Sequence, residues 1–331
     1  MSPDIDAAAL AAKYPLADPE LRPFLAAFPG FDTTPPIATG VRAWFASFPP
    51  PPLPDPSVVS VESREITGPA GGKLRLLVFR PFTDSKVPVI LGIHGGGFLL
   101  GAPEIETDLH SHFAANGMVV VSPAYRLAPE HPYPAAYDDV EAAYNYITSA
   151  AGQESLNIDG TRVGVYGASA GSALATGLAI RLNQQGCGDG IKLVVMDSTL
   201  ADDRLIYPSQ AENLPTAIYH IWTRENSLAM RALTFTTPIE EPLPLEASPL
   251  RSTRTSDFSG LCPHIVTSCE LDSLAEQGQE YFKRLQSAGV DVQYKFWERS
   301  IHGFSQLCPK SQIGREAVDL YTKAFKRRLF D

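Results

Sequence analysis

Five apolar runs constrain any fold of this chain: VPVILGIHG (87–95), MVVVSPAYR (118–126), RVGVYGAS (162–169), IKLVVMDS (191–198) and PHIVTSCE (263–270). The first two are almost continuously apolar, the signature of strands covered on both faces, and the other three also read as strands. Between and after them, apolar residues recur every three or four positions. AYDDVEAAYNYITSA places Val140, Tyr144 and Ile147 on one helical face, and the segment after RVGVYGAS stacks Leu174, Leu178 and Leu182. LAEQGQEYFKRLQSAG and REAVDLYTKAFKRRL repeat the helical pattern on either side of a further strand, VQYKFWE. Two earlier runs, VVSVESREI and KLRLLVFRP, are separated by the turn-prone GPAGG and also read as strands. The alternation specifies an α/β architecture: a mostly parallel sheet of about eight strands, flanked by helices.

The rhythm is absent in two regions. Up to residue 56 the chain is helical in pattern and punctuated by prolines. Asp18 is placed to cap a helix with Pro19 at its first position, Leu21, Leu25 and Phe28 sharing a face. A second helix is expected from about Ile37 to Phe45, and PPPPLPDP (49–56) reads as an extended connector. After residue 200 comes an aromatic-rich stretch, TAIYHIWT, expected to be helical and followed by proline-rich turns. The expected organisation is an N-terminal helical cap contribution (1–56), a first core part (57–200), a cap insertion (201–256) and a second core part (257–331).

Charge narrows the partners. With 27 basic against 37 acidic side chains, the formal net charge is −10, and no cluster of Lys and Arg resembles a nucleic-acid arm. Cys187, Cys262, Cys269 and Cys308 are too few for a disulfide scaffold and too widely spaced for a metal knuckle; they read as buried free thiols, with one disulfide left open. MSPDIDAAALAAKYP lacks the basic region and long apolar core of a secretory signal, and no apolar run is long enough to cross a bilayer. The expectation is a cytoplasmic protein without stable membrane insertion. His110 and His112 share an expected helix but have no third ligand nearby, so no metal is expected.

The chemistry starts at VYGASAGSALATGLAI (165–180), where Gly-x-Ser-x-Gly joins a buried strand to a helix. Small residues at Gly167 and Gly171 permit a sharp turn that lifts Ser169 off the sheet and sets the Ala170 N–H at a helix start, facing developing negative charge. The plainer alternative is a serine in a glycine-rich connection. A second glycine turn, IHGGGFLLG (93–101), follows another buried strand and offers backbone donors, with Gly95 and Gly96 expected to form an oxyanion hole together with Ala170. The Lys-Ser/Thr of a nucleotide P-loop is missing there. A base is expected late in the chain, and His302 in ERSIHGFSQL lies just past a strand. Asp272, after the strand ending near Cys269, is placed to orient that imidazole, with Glu270 as competitor and helix capping as its plainer role.

HGGG (94–97), YRLAPEHPYPAAYDD (125–139), GASAG (167–171), DSLAEQG (272–278) and HGF (302–304) together resemble the hormone-sensitive-lipase-like branch of the α/β-hydrolases. The resemblance implies a carboxylesterase-type serine hydrolase with a helical cap and no cofactor. It also implies Asp272 and His302 as triad partners of Ser169, with His94 and Gly97 supporting the oxyanion loop. This chain departs from the family pattern at Ala168, commonly acidic or polar, and at Ser172, commonly glycine. YRLAPEHPYPAAYDD reads as structural support, with Glu130 bonding to a neighbouring loop.

Phe98 and Leu99 adjoin the glycine loop and are expected at the entrance, while Trp44, Phe45, Tyr219 and Trp222 supply an apolar pocket or else simply the core of the cap. Short to medium acyl esters, or small aromatic esters, fit a bounded pocket of that kind. The same triad serves lactone opening, acyl transfer or cyclisation, and a non-catalytic binding protein on this scaffold is the third alternative. Monomer and homodimer both stay open.

Overall fold

Eight strands, β1 (Val59–Thr67), β2 (Lys73–Pro81), β3 (Val87–Ile93), β4 (Val119–Pro123), β5 (Ile158–Ala168), β6 (Ile191–Asp197), β7 (His264–Leu271) and β8 (Val292–Ile301), make one sheet in the order β1-β2-β4-β3-β5-β6-β7-β8. This is the computed structural model of the chain, which describes residues 6–28, 30, 42–43 and 53–331. β1 and β2 pair antiparallel, as do β2 and β4, and every pairing from β4 through β8 is parallel. The order runs outward in both directions from the middle, so the carboxyl ends of β3, β5, β6, β7 and β8 lie along one edge.

Side-chain alternation divides the apolar residues between two faces. On one, Val89, Leu91, Ile93, Val165 and Met196 pack against helices Ala135–Thr148, Ala170–Gln184 and Ala275–Ser287 through Val140, Leu174, Leu178 and Tyr281. On the other, Ile90, Val120, Tyr166 and Val195 meet Phe113 of helix Thr107–Ala115 and Tyr321 and Phe325 of helix Gln312–Leu329. Both faces are buried, which is why these strands read as unbroken apolar runs.

The regions outside the sheet depart from expectation in two places. Near the N-terminus the helices are Ala7–Lys13, capped by the Asp6 carboxylate, and Arg22–Ala27. Asp18 caps neither; its carboxylate accepts the Glu20 N–H at 2.9 Å in a turn, and Pro23 sits in the first helical turn where a missing N–H is harmless. The expected helix at 37–45 lies outside the described residues except for Arg42 and Ala43, which are helical. TAIYHIWT yields only a 3-10 turn, Pro215–Tyr219, and the α-helix follows it at Arg224–Thr234. The reason is a reciprocal cap: Thr223 Oγ1 accepts the Asn226 N–H at 3.2 Å and Asn226 Oδ1 accepts the Thr223 N–H at 2.9 Å, so helix begins after the aromatic residues. The excursion between β6 and β7 is pinned by Asp203, buried between Arg231 (2.6 Å) and Arg251 (2.6 Å).

All four cysteines are free thiols, but only Cys262 and Cys269 are buried; Cys187 is exposed and Cys308 partly so, against the expectation of four buried thiols. Among the described residues no helix is long and apolar enough to cross a membrane.

Two buried imidazoles tie stability to pH. Burial holds His94 and His264 down to about 4, below their ordinary 6.5, despite hydrogen bonds to the carbonyls of Gly95 and Cys262. Each is neutral when folded and takes up a proton on unfolding below pH 6.5. Their contribution is therefore complete above that pH and is lost as pH falls towards 4, by roughly 3 kcal/mol per histidine. Thermal melts should show a progressive fall in Tm from pH 6.5 to 4; a flat profile would contradict the assignment.

Candidate active site

Ser169 occupies the turn between β5 and helix Ala170–Gln184 with φ 54° and ψ −118°, a left-handed φ for a residue with a side chain. Its N–H donates to the carbonyl of Asp197, the last residue of β6, at 2.8 Å. Crowding explains the flanking glycines: a Cβ on Gly167 would lie 2.1 Å from Gly171 O, and one on Gly171 2.0 Å from Ile93 O in β3. Ser172, which departs from the family glycine, is fully buried; its hydroxyl donates to Ser169 O at 2.6 Å and accepts the Leu200 N–H at 2.9 Å. The substitution thus adds a tie between the elbow and the chain leaving β6.

His302 follows β8 and Asp272 follows β7, so both arrive at the same sheet edge as Ser169. His302 Nε2 lies 2.8 Å from Ser169 Oγ, and His302 Nδ1 lies 2.7 Å from Asp272 Oδ2. With Nδ1–H donated to the carboxylate, the Nε2 lone pair faces the serine hydroxyl. The other Asp272 oxygen accepts the Leu274 N–H at 3.0 Å, so turn-capping and orientation coexist in one side chain. Glu270 is exposed and accepts the Arg299 N–H instead. Burial of His302 favours the neutral ring, but the charge of Asp272, its hydrogen bond, and the charge of Asp197 outweigh this and hold the imidazole above its ordinary 6.5.

One expected oxyanion donor is already used. The Gly95 N–H donates to the buried Glu106 carboxylate at 3.1 Å, because the chain folds back after the glycine turn and sets Glu106 behind it. Gly95 also packs closely on the elbow, since a Cβ there would be 3.1 Å from Ala168 O. The N–H groups of Gly96 and Gly97 have no acceptor among the described residues. Ala170, as the first residue of its helix, has an N–H that no helical carbonyl takes up. His94 braces the loop from below: its ring stacks on Tyr125 at 4.1 Å and its carbonyl accepts the Tyr125 hydroxyl at 2.9 Å.

The expected pocket residues separate. Phe98 and Leu99 are both 2% exposed, and Phe98 packs on Tyr137 and Phe235, so they belong to the core rather than to an entrance. Tyr219 is also buried; it meets Tyr14 edge-on, and its hydroxyl accepts the Leu16 N–H at 3.2 Å. Trp222 reaches the site, since its ring fills the space a Cβ on Gly97 would take, at 2.2 Å, and its carbonyl accepts the Ser273 hydroxyl at 2.6 Å. Trp44 and Phe45 lie outside the described residues.

The role of Glu106, the setting of His220 and the partner of Glu130 were not legible in the sequence. Glu106 lacks any motif. Half-buried His220, expected on a lid helix, ends the 3-10 turn instead and sits in the fields of Asp272 and His302. Glu130 finds its partner in Arg42, which pairs with it at 2.8 and 2.9 Å and donates to the carbonyls of Leu99 and Ala128, joining the N-terminal region to the glycine loop. His110 faces Glu106 at 3.3 Å, while His112 is elsewhere on the helix; no cluster of three or more His, Cys, Asp or Glu side chains suited to a metal exists among the described residues.

A serine, an imidazole and a carboxylate hydrogen-bonded in series, at the ends of parallel strands and beside unused backbone donors, define a serine hydrolase. Comparison with known proteins agrees. A family model for the alpha/beta hydrolase fold matches residues 90–306. Esterase LipI of Mycobacterium tuberculosis is 32% identical over 249 residues, covering 72% of this chain and 73% of the relative. Ethyl acetate hydrolase of Pseudomonas putida is 29% identical over 263 residues, covering 78% of this chain and 80% of the relative. Among solved structures, a bacterial heroin esterase superposes with a TM-score of 0.83 at 29% identity, over 96% of this chain and 99% of that one. The chain belongs to the hormone-sensitive-lipase-like carboxylesterases of the α/β-hydrolase superfamily.

Proposed function

We propose that the protein hydrolyses carboxylic esters with short to medium acyl chains or small aromatic alcohol groups, through an acyl-enzyme on Ser169. The observation that supports this is the unbroken relay Ser169–His302–Asp272, with 2.8 and 2.7 Å between successive atoms. His302 takes the hydroxyl proton as Ser169 attacks the ester carbonyl, and Asp272 favours the imidazolium so formed. The tetrahedral oxyanion is met by the N–H groups of Ala170, Gly96 and Gly97, which have no acceptor among the described residues. His302 then protonates the departing alkoxide and next activates water, releasing the acid.

The segment 201–256 and the N-terminal residues act as the lid over this site. Support comes from Trp222 against Gly97 and from Tyr219 against Tyr14. Such a lid bounds the acyl chain. One relative is named an ethyl acetate hydrolase and one similar solved structure a bacterial heroin esterase, which supports esters as the substrate class here.

The test is a series of chromogenic esters from acetate to long acyl chains, run beside a serine-directed phosphonate probe. Turnover should be highest for short to medium chains, with one equivalent of probe bound. Folded protein that neither labels nor turns over would reject the reading. Because His302 must be neutral to accept a proton and is held above 6.5, kcat/KM should fall on acidification through a pH above that value. A profile flat from about pH 5 to 8, the span over which imidazoles titrate, would remove His302 as the base.

A further inference from the structure

Four strands bring a polar side chain to the same sheet edge: Ser169 follows β5, Asp197 closes β6, Asp272 follows β7 and His302 follows β8. The chemistry above uses three. Asp197, the fourth, is fully buried. Its Oδ2 accepts from the Tyr166 hydroxyl at 3.0 Å, from Gln306 Nε2 at 2.7 Å and from the Ser305 hydroxyl, and its Oδ1 accepts from Thr267 Oγ1 at 3.2 Å. Oδ2 thus sits among three donor groups from two parts of the chain. Among the described residues it has no Lys or Arg partner. A buried carboxylate satisfied only by neutral dipoles is costly to keep.

Its connections suggest what it does. The Asp197 carbonyl accepts the Ser169 N–H at 2.8 Å, fixing the nucleophile. Its carboxylate grips Ser305 and Gln306, three and four residues past His302 in the chain, and the adjacent Ser198 hydroxyl accepts the Gly303 N–H at 3.0 Å. One residue thereby joins the elbow and the histidine turn. We propose that Asp197 is a positioning residue of the triad, clamping the turn that bears His302 against the Ser169 elbow through its carbonyl and its carboxylate.

Its charge is among those that hold His302 above the ordinary value, after that of Asp272 and against the effect of burial. The titratable groups around the imidazole are Asp272 from the turn after β7, Asp197 from β6 and His220 from the excursion between β6 and β7. Around Asp197 stand Tyr166 of β5, Cys269 of β7, Tyr321 of the last helix and Glu106 from behind the glycine loop. No cation compensates it in that set.

The inference rests on the esterase reading, and the experiment separates the two. The wild type, Asp197→Asn, and the double variant Ser305→Ala/Gln306→Leu are assayed on the best chromogenic ester, with active sites counted by the phosphonate probe. Wild type without turnover or labelling would fail the esterase reading itself. Given an active wild type, Asp197→Asn should lower kcat per labelled site by about tenfold or more with little change in KM, as expected for an interaction made in the transition state. It should also move the acid limb of kcat/KM to lower pH, because the imidazole loses an anionic neighbour. A purely structural role would reduce the number of labelled sites and leave both kcat per site and the acid limb unchanged; that outcome overturns the proposal. The double variant cuts two ties and keeps the charge, so it should lower kcat per site with the acid limb in place. If Asp197→Asn does not fold, full kcat in the double variant overturns the clamp.

Discussion

Ser169→Ala is expected to reduce kcat/KM by on the order of 10^4-fold or more while leaving the fold intact. The variant deletes the only nucleophile in the relay but disturbs little else. The Ser169 N–H bond to Asp197 O and the Ser172 bond to Ser169 O are both made by main-chain atoms of residue 169 and survive the change. His302 loses a hydrogen-bond partner at 2.8 Å but keeps Asp272 at 2.7 Å. Residual turnover from the oxyanion donors alone is the floor the assay should approach. Phosphonate labelling should vanish with activity, and the melting curve should overlay that of wild type. Labelling retained at wild-type stoichiometry would mean that another residue is the nucleophile.

Gly171→Ala has the largest expected structural effect. The added Cβ would stand 2.0 Å from Ile93 O, 2.7 Å from His94 O and 2.8 Å from Ile93 C. All three are main-chain atoms of β3 and the glycine turn, so no side chain can rotate away. Relief requires the nucleophile helix to back off from the sheet. Overpacking of this sort costs about 3 kcal/mol or more. It also displaces Ser169 from the glycine loop, so kcat should fall together with stability. Gly72→Ala is the matched control: its φ of −67° is open to any residue, and its Cβ would meet only Pro69 O at 3.4 Å. Denaturant midpoints should separate the two variants clearly. Equal midpoints would mean that the elbow tolerates a wider approach than the structure has.

The order of elements was readable because the strands are buried on both faces and the helices on one. Burial on both faces leaves runs such as VPVILGI and IKLVVMD with no polar alternation to obscure them. Ser169, Asp272 and His302 were readable because each follows directly from the end of a recognisable strand. The N-terminal and excursion regions were harder, since their helices depend on caps and ion pairs rather than period. Thr223 and Asn226 place a helix that the aromatic residues before it do not. Asp18, which looks like a cap, is satisfied within its own turn.

The amino-acid order alone determined which side chains stand at strand ends, because strand length and polarity are local properties of a few residues. Tertiary structure decided what those side chains meet. Glu106 folds back onto the Gly95 N–H and so passes the oxyanion role to Gly96 and Gly97 in our reading. Phe98, Leu99 and Tyr219 enter the core because neighbouring rings and chain segments close over them. Asp197 acquires its partners from β5, β7 and the turn after His302, elements up to 109 residues away in sequence. Such contacts follow from how the strands are ordered in space, and no window along the chain contains that order.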